Sequence, residues 1–234
     1  MVVCIETATN LCSVALCSGS EIISLRESND LKSHSSMLTV FIDELLRNNN
    51  IGAKDLDAVA VGKGPGSYTG LRIGVSVAKG IAFAASIPLV GVETTLSMFW
   101  GMRDRIGKIT GDDINTLLCP MIDARRMEVY NAIYDSSGNV VKGISAEIIN
   151  ENSFSEIPVS RKIIFFGDGA DKCREVIKRK NIYFAEDFRI SAAHMQKPVF
   201  EAINKKKFED VAYFEPFYLK DFITSIPRKN ILGK

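Results

Sequence analysis

The stretch GKGPGSYTGLRIG, residues 62–74, is the part of the chain whose composition most suggests chemistry. Four glycines and a proline fall within its first nine residues, between an apolar segment and a helical one. Such a turn can hold a phosphate, because the free N–H groups at a helix start bind anions. It can equally be a tight backbone corner, since glycine permits positive φ and proline fixes one turn. The composition alone leaves both interpretations open.

None of the standard phosphate or nucleophile motifs fits this stretch. The dinucleotide pattern G-x-G-x-x-G meets Ser67 or Thr69 at its sixth position, depending on the register. The P-loop pattern fails because no Lys-Ser or Lys-Thr pair follows the glycines at the required distance. Ser67 is not the nucleophile of a G-x-S-x-G turn, because Pro65 stands in the place of the first glycine. Ser67 or Thr69 is instead suited to cap the following helix.

Two aspartates stand where an apolar segment gives way to a turn. Asp123 begins the sequence Asp-Ala-Arg-Arg, and Asp168 lies between two glycines. Asp123 either faces a cleft between lobes or forms a salt bridge that stabilises its turn. Asp168 either meets a nucleotide at a helix start or caps that helix. The only histidines, His34 and His194, are too far apart in sequence to form a short metal-binding pair, so we predict no metal site.

Hydrophobic periodicity predicts the elements that position these residues, in two similar cycles. The first cycle has strands at 2–6, 13–17, 21–27, 56–62 and 89–92, and helices at 35–49, 70–86 and from 94 or 95 to 100. The second has strands at 114–123, 128–135, 140–149 and 162–170, then helices to about 180 and from about 191 to 207. The polar stretch 103–113 separates the cycles. We therefore predict two related α/β lobes, residues 1–102 and 103–234, with the last segment, about 210–234, packing back on the first lobe.

Two helices of the first lobe carry more apolar or small surface than one core needs. In the first, apolar residues from Met37 to Leu46 cover about half of the circumference, whereas a core-facing stripe needs about 100°. In the second, two glycines each cost roughly 1 kcal/mol relative to alanine, which suggests a close backbone approach. That approach is either to a partner or to the protein's own sheet. Our hypothesis is a protein–protein face formed by Met37, Leu38, Phe41, Leu45, Gly70, Gly74, Ala78 and Ala82.

Composition narrows the class of protein. The 234 residues are 46% hydrophobic and 24% charged with a net charge of +1, which is ordinary for a soluble protein and gives no global attraction to nucleic acid or membranes. Five cysteines without a Cys-x-x-Cys spacing predict buried free thiols in a reducing compartment. The chain starts directly with an apolar strand, without signal-peptide features, and has no apolar run long enough to span a bilayer. These features predict a cytoplasmic protein without disulfides.

Seven segments of the chain resemble one known family. The longest, VAVGKGPGSYTGLRIGVSVAKGIAF, is similar to the signature of the TsaB (YeaZ) family, accessory proteins of bacterial tRNA threonylcarbamoyladenosine biosynthesis. The others follow in the order expected for that family: CIETATNLCSVAL, HSSMLTVFIDELL, PLVGVETT, IDARRMEVYNAIY, FFGDGA and EPFYLKD. The resemblance therefore covers essentially the whole chain.

The resemblance implies an actin-like nucleotidase (ASKHA) fold, which is α/β with two ribonuclease-H-like lobes of mixed sheets flanked by helices. It implies a non-catalytic subunit that pairs, through helices of its first lobe, with the larger catalytic paralogue TsaD and works with the small ATPase TsaE. A threonylcarbamoyl group then reaches an adenosine beside the tRNA anticodon. The resemblance also implies that such a protein, without its catalytic partner, forms a homodimer through the same helix face.

The balanced charge leads us to expect that tRNA binds weakly, or only through the complex. The basic clusters 205–207 and 228–229 are candidates for one edge of a composite surface.

One position departs from the pattern of the superfamily. Its first strand usually ends in Asp, which organises metal and phosphate, whereas Glu6 stands in that place here. The longer side chain weakens the case for hydrolysis, so an actin-like ATPase or phosphotransferase acting in its own cleft is the alternative function. No cofactor is expected to bind tightly, and ATP or ADP with Mg²⁺ is expected only at a shared interface. The candidates for nucleotide contact are Glu6, Thr7, Gly64, Gly66, Ser67, Asp123 and Asp168.

Overall fold

The structure, a computed structural model, describes residues 1–29, 33–112 and 114–220. It contains two five-stranded sheets that share one strand order. The first sheet runs β3-β2-β1-β4-β5, with β1 Val2–Glu6, β2 Cys12–Ser18, β3 Glu21–Ser28, β4 Ala58–Gly64 and β5 Leu89–Glu93. The second runs β8-β7-β6-β9-β10, with β6 Thr116–Asp123, β7 Glu128–Tyr134, β8 Val140–Ile148, β9 Lys162–Phe166 and β10 Ile182–Ala185.

The pairing directions repeat as well as the strand order. In each sheet the first strand pairs antiparallel with the second and parallel with the fourth, and the fourth pairs parallel with the fifth. This duplicated topology confirms the predicted actin-like fold of two ribonuclease-H-like lobes.

Two long helices cover one face of the first sheet. They are α1, Ser33–Asn48, and α2, Tyr68–Ala85, close to the predicted bounds. Ser67 caps α2 because its Oγ accepts the N–H of Gly70, and the helix ends at Ser86, which has a φ of 56°. Alternate residues of β1, β2 and β4 point toward both helices and form a core with them.

The opposite face of the first sheet is covered by a later part of the chain. The 3₁₀ turn Ala192–Met195 and helix α5, Gln196–Asn204, pack against it. The chain therefore returns to the first lobe at about residue 191, earlier than the predicted 210. Beyond α5, Phe214 joins the core under α2, and the N–H of Glu209 donates to the carbonyl of Leu89 at 2.9 Å. Residues 221–234 of the predicted returning segment lie outside the described residues.

The link between the lobes is helical rather than an irregular linker. Helix α3, Thr94–Arg103, and the short helix α4, Ile106–Thr110, pack on the second sheet. Thus the polar stretch predicted as the lobe boundary contains the end of α3 and all of α4, while residue 113 lies outside the described residues.

Two predictions for the second lobe were wrong. The helix expected up to about residue 180 is only a 3₁₀ turn, Asp171–Cys173, followed by further turns. Most of its backbone hydrogen bonds span three residues, as in Val176 N–H to Cys173 carbonyl, and one spans four, from Ile177 N–H to the same carbonyl, so only a short run of turns forms. Strand β10 was not predicted, since its four half-buried residues carry no clear alternation.

The state of the cysteines and the hydropathy of the helices were both expected from composition. All five cysteines are buried free thiols, as predicted. Across residues 1–29, 33–112 and 114–220, no helix combines the length and the hydropathy that crossing a membrane would require.

Candidate partner-binding site

The glycine-rich stretch is a tight corner packed on the turn that follows β1. The N–H of Ser67, which a phosphate would need, donates to the carbonyl of Ala8 at 2.6 Å. The N–H of Gly70 is taken by the Oγ of Ser67 at 3.2 Å. A Cβ on Gly66 would lie 2.4 Å from the oxygen of Ala8, so the loop touches this turn directly. Two of the donors near this helix start are therefore used internally.

The other side of the loop is covered by the C-terminal part of the described chain. The N–H of Phe217 donates to the carbonyl of Lys63 at 2.7 Å, and a Cβ on Gly64 would lie 2.7 Å from the oxygen of Phe217. Tyr218 accepts a hydrogen bond from Arg72 at 3.1 Å. Of the two interpretations of this stretch, these contacts favour the backbone corner.

Glu6 is held inside the first lobe. Its Oε1 accepts the N–H of Ala8 at 2.8 Å, while Oε2 has no hydrogen-bond partner within the described part of the chain. Burial raises the pKa of Glu6 to about 7, against the lowering effect of the N–H groups of Ala8 and Thr7. A Cβ on Gly62 would lie 2.8 Å from either carboxylate oxygen, so glycine there makes space for the side chain.

The row of small residues on α2 faces the chain's own first strand. A Cβ on Gly70 would lie 2.1 Å from the carbonyl oxygen of Thr7, and one on Gly74 would lie 2.3 Å from its Oγ1. Thr7 Oγ1 also donates to the carbonyl of Gly70 at 2.8 Å. Ala78 and Ala82 continue the row into the core. The close approach is thus to the protein's own sheet, which corrects the hypothesis that these four residues form a partner surface.

The apolar arc of α1 is also used internally. Leu38 and Leu45 are fully buried, Phe41 is 7% exposed, and Met37 packs partly buried against the same core. These four side chains therefore do not form the outer surface of the helix, as the sequence hypothesis required. Instead, α1 lies between β2 and α2 and needs its wide apolar arc to contact both.

An apolar groove nevertheless lies on the outer side of α2, between this helix, Thr39 of α1 and the 3₁₀ turn Ala53–Asp55. It has a volume of about 540 Å³, and among the described residues Lys54 is the single charged one that lines it. On α2, positions 73, 77, 80, 81 and 84 fall on one exposed or half-exposed face at helical spacing. Phe83 and Val40 add side chains that are 80% and 41% exposed. The groove is lined by Thr39, Gly52, Ala53, Lys54, Val77, Gly80, Ile81, Ala84 and Ala85.

Asp123 and Asp168 lie together in the second lobe. The Oδ1 of Asp168 accepts the N–H of Asp123 at 3.1 Å, and burial raises the pKa of Asp168. Asp123 pairs with Lys172 and accepts the N–H of Arg125 at 3.0 Å, so it stabilises its turn. Asp168 does not cap an α-helix, because the chain after it forms only the 3₁₀ turn.

A second cavity of about 280 Å³ lies between the lobes. It is lined by Asp168 and Arg189 on one side and by the β1–β2 turn, including Thr9 and Asn10, on the other. Of the seven residues predicted to contact a nucleotide, only Asp168 lines this cavity. The remaining six either lie inside the first lobe, line the glycine corner or support the β6–β7 turn, so the structure does not gather the set around one ligand.

Comparisons with known proteins extend over the whole chain. The sequence matches the family model described as "TsaD: tRNA N6-adenosine threonylcarbamoyltransferase" over residues 27–226. It is 27% identical to "tRNA threonylcarbamoyladenosine biosynthesis protein TsaB" of Escherichia coli K12, covering 100% of this chain and 99% of that protein. The chain belongs to the TsaB (YeaZ) family. In structure it is similar to "YeaZ from Pseudomonas aeruginosa", with a TM-score of 0.78 and 21% identity over 93% of this chain and 99% of that chain.

The TsaB-family chain also shares part of its sequence with a larger protein. Over 105 residues it is 38% identical to a "tRNA N6-adenosine threonylcarbamoyltransferase" of Bacillus anthracis, a match that covers 38% of this chain and 31% of that protein. The likeness is thus confined to part of each protein.

The sequence hypothesis named residues of α1 and α2 that this TsaB-family protein packs into its own core, whereas the exposed apolar groove lies on another face of α2. The residues that the hypothesis missed are Val77, Gly80, Ile81 and Phe83. Val77 and Ile81 are four residues apart, which is a detectable helical signal. That signal is weaker than the neighbouring core stripe, because both stripes are apolar and only packing tells them apart.

Proposed function

We propose that this TsaB-family chain is a non-catalytic subunit required for threonylcarbamoylation of the adenosine beside the tRNA anticodon. It acts by binding and activating a TsaD-type catalytic paralogue, together with a TsaE-type ATPase. The observation that carries the proposal is the exposed apolar groove on the outer side of α2. Exposed apolar grooves of this kind are typical of protein–protein contacts.

The chemistry of the groove suits a helical partner surface. Gly80 and Ala84 present little side chain, which allows a second backbone to approach closely, while Val77 and Ile81 supply apolar area beside them. A paralogue that shares sequence with this chain brings helices of similar character, so a mixed bundle of four helices is the expected contact. The same face supports a homodimer when the catalytic partner is absent.

The alternative, an ATPase or phosphotransferase acting in its own cleft, finds less support. The glycine-rich corner is filled by Ala8 and Phe217, and Glu6 is buried beneath it. We therefore place any bound ATP or ADP with Mg²⁺ at the interface shared with the partner. Rapid ATP turnover by the isolated chain, abolished by Glu6→Ala, would reverse this preference.

Gly80→Glu is the variant that tests the groove most cleanly. A Cβ on Gly80 meets no atom within 4 Å, so the longer side chain fits and places a charge in the groove. The change also replaces a helical glycine, which favours folding by roughly 0.5–1 kcal/mol. Gly143→Glu, at an equally open and exposed position on β8, is the matched control.

The assay is co-expression with the TsaD-type paralogue of the same genome, followed by copurification and threonylcarbamoylation of tRNA with the TsaE-type protein present. We expect Gly80→Glu to remove both copurification and tRNA modification, and Gly143→Glu to leave both intact. A folded Gly80→Glu protein that still copurifies and supports modification would contradict the proposal.

A further inference from the structure

We propose that the β6–β7 turn binds the phosphate backbone of tRNA through Arg125 and Arg126. The choice of RNA as the ligand rests on the proposed function, whereas the site itself rests on the geometry of the turn. Both arginines are exposed at the tip of this turn, between the ends of β6 and β7. This turn lies on the second lobe, apart from the groove on α1 and α2.

The backbone of the turn is unfavourable for the residues that occupy it. Arg125 has a φ of 70° and Arg126 a φ of 47°, so two consecutive residues with a Cβ adopt the left-handed region. Glycine, asparagine and aspartate adopt this conformation at lower cost. Residues held in such a conformation are concentrated at functional sites, which points to a use for the arginine side chains.

Hydrogen bonds at the base of the turn fix its shape without using either arginine side chain. Asp123 accepts the N–H of Arg125, and the N–H of Glu128 donates to the carbonyl of Arg125 at 3.1 Å. Lys172 donates to the carbonyl of Glu128 at 2.7 Å, tying the base of the turn to the next segment. Within residues 1–29, 33–112 and 114–220, neither guanidinium has an ion-pair or hydrogen-bond partner.

The carboxylates beside the turn are already neutralised by lysines. Asp123 pairs with Lys172, and Glu128 pairs with Lys220. A third carboxylate, Asp168, lies under Asp123 and accepts its N–H. Among the described residues, the two exposed arginines therefore carry charge that none of these acids pairs with, although the protein as a whole carries a net charge of only +1.

This local arrangement matches a nucleic-acid backbone better than an acidic protein. A planar guanidinium binds phosphate oxygens with two parallel hydrogen bonds, and a pair at adjacent positions can contact successive phosphates. Tyr130 lies beside the turn, with Lys220 at 5.9 Å from its ring, and adds an aromatic face. Such contacts position RNA without reading its sequence, leaving the choice of adenosine to the catalytic subunit.

The variant that tests this site is the double substitution Arg125→Asn and Arg126→Gly. It removes two charges and installs residues that favour positive φ, so it should fold with a melting temperature at or above that of the wild type. Lys178→Gln with Lys180→Gln is the matched control. It also removes two positive charges from exposed side chains of the second lobe, at positions outside the β6–β7 turn.

The measurement is binding of a fluorescent, unmodified tRNA transcript to the isolated chain and to the copurified complex, between 50 and 200 mM salt. We expect the arginine variant to bind about tenfold more weakly than the wild type in either form. Its plot of log affinity against log salt concentration should be shallower by about 1 to 2. The lysine control should change both quantities by less than half as much.

Several results would overturn the proposal. One is wild-type tRNA affinity in the folded arginine variant, both alone and in the complex. A second is an equal loss of tRNA affinity in the lysine control, which would indicate that net charge alone accounts for binding. A third is binding of polyglutamate that is as tight as binding of tRNA at the same salt concentration. Copurification with the catalytic paralogue reports separately on the proposed function, because the arginine variant leaves the groove on α1 and α2 unchanged.

Discussion

Replacing Glu6 by Gln should make the protein more stable at neutral and alkaline pH. In the folded chain, burial raises the pKa of Glu6 from 4.5 to about 7. Between these values the folded state holds a proton that the unfolded state has released, so the free energy of unfolding falls as the pH rises. The destabilisation caused by ionising the buried Glu6 is fully present above pH 7 and absent well below pH 4.5. Glutamine is neutral at every pH and keeps an oxygen that accepts the N–H of Ala8.

The expected size of the effect follows from the separation of the two pKa values. At about 1.4 kcal/mol for each pH unit, the separation between 4.5 and about 7 corresponds to about 3 kcal/mol. The stability gap between Glu6→Gln and the wild type should be about 1 kcal/mol at pH 5, about 2 kcal/mol at pH 6 and about 3 kcal/mol at pH 8. Urea unfolding monitored by circular dichroism at these pH values measures the gap directly.

Glu147→Gln provides a control of opposite sign. Burial opposes ionisation of Glu147, but hydrogen bonds from Lys142 and Ser145 lower its pKa below the ordinary value. Its stabilising effect is present above pH 4.5 and is lost as the pH falls through the lowered pKa. This variant should therefore lose stability near neutral pH. A gap for Glu6→Gln that stays constant from pH 5 to pH 8 would refute the reasoning, because packing rather than ionisation would then account for it.

Three further predictions test the first lobe and the thiols. Gly70→Ala should lower the free energy of unfolding by roughly 1–3 kcal/mol, because its Cβ would lie 2.1 Å from the carbonyl of Thr7. Gly80→Ala should instead raise the free energy of unfolding by about 1 kcal/mol, because no atom lies within 4 Å of its Cβ. Equal effects of the two variants in urea unfolding would contradict this assignment of faces. Ser67→Ala should cost about 1 kcal/mol through loss of the α2 cap, again by urea unfolding, and an unchanged midpoint would argue against the cap. All five thiols should react with a chromogenic disulfide reagent only after unfolding, and a fast native reaction would contradict their burial.

Much of the fold could be predicted from local sequence. The strands from β1 to β9 and the helices α1 and α2 follow from apolar alternation, helical spacing and breaking residues such as Pro88. Strand β10 escaped prediction because four half-buried residues at a sheet edge give no periodic signal. The expected helix after Gly169 was wrong, since the chain forms only a 3₁₀ turn and further turns there. Cys173 and Ile177 are four residues apart and both buried, so the local spacing fits a helix and could not exclude one.

The candidate site was predicted less well, for a physical reason that the helices illustrate. A helix can carry two apolar faces, and the sequence does not say which of them contacts the chain's own sheet. The glycine–alanine row of α2 looked like an interface until Thr7 was found against it, while Val77 and Ile81 on the outer face were overlooked.

The sequence by itself determined the repeated order of strands and helices, the free thiols and the family resemblance, since each depends on residues that are close together in the chain. Only the tertiary structure decided that the glycine stretch is a filled corner and which faces of α1 and α2 are exposed. It also decided that Asp123 and Glu128 pair with lysines, while the neighbouring Arg125 and Arg126 have no partner among the described residues. Each of these depends on contacts between distant residues, such as Phe217 with Lys63 or Lys220 with Glu128. Local spacing carries no information about those contacts.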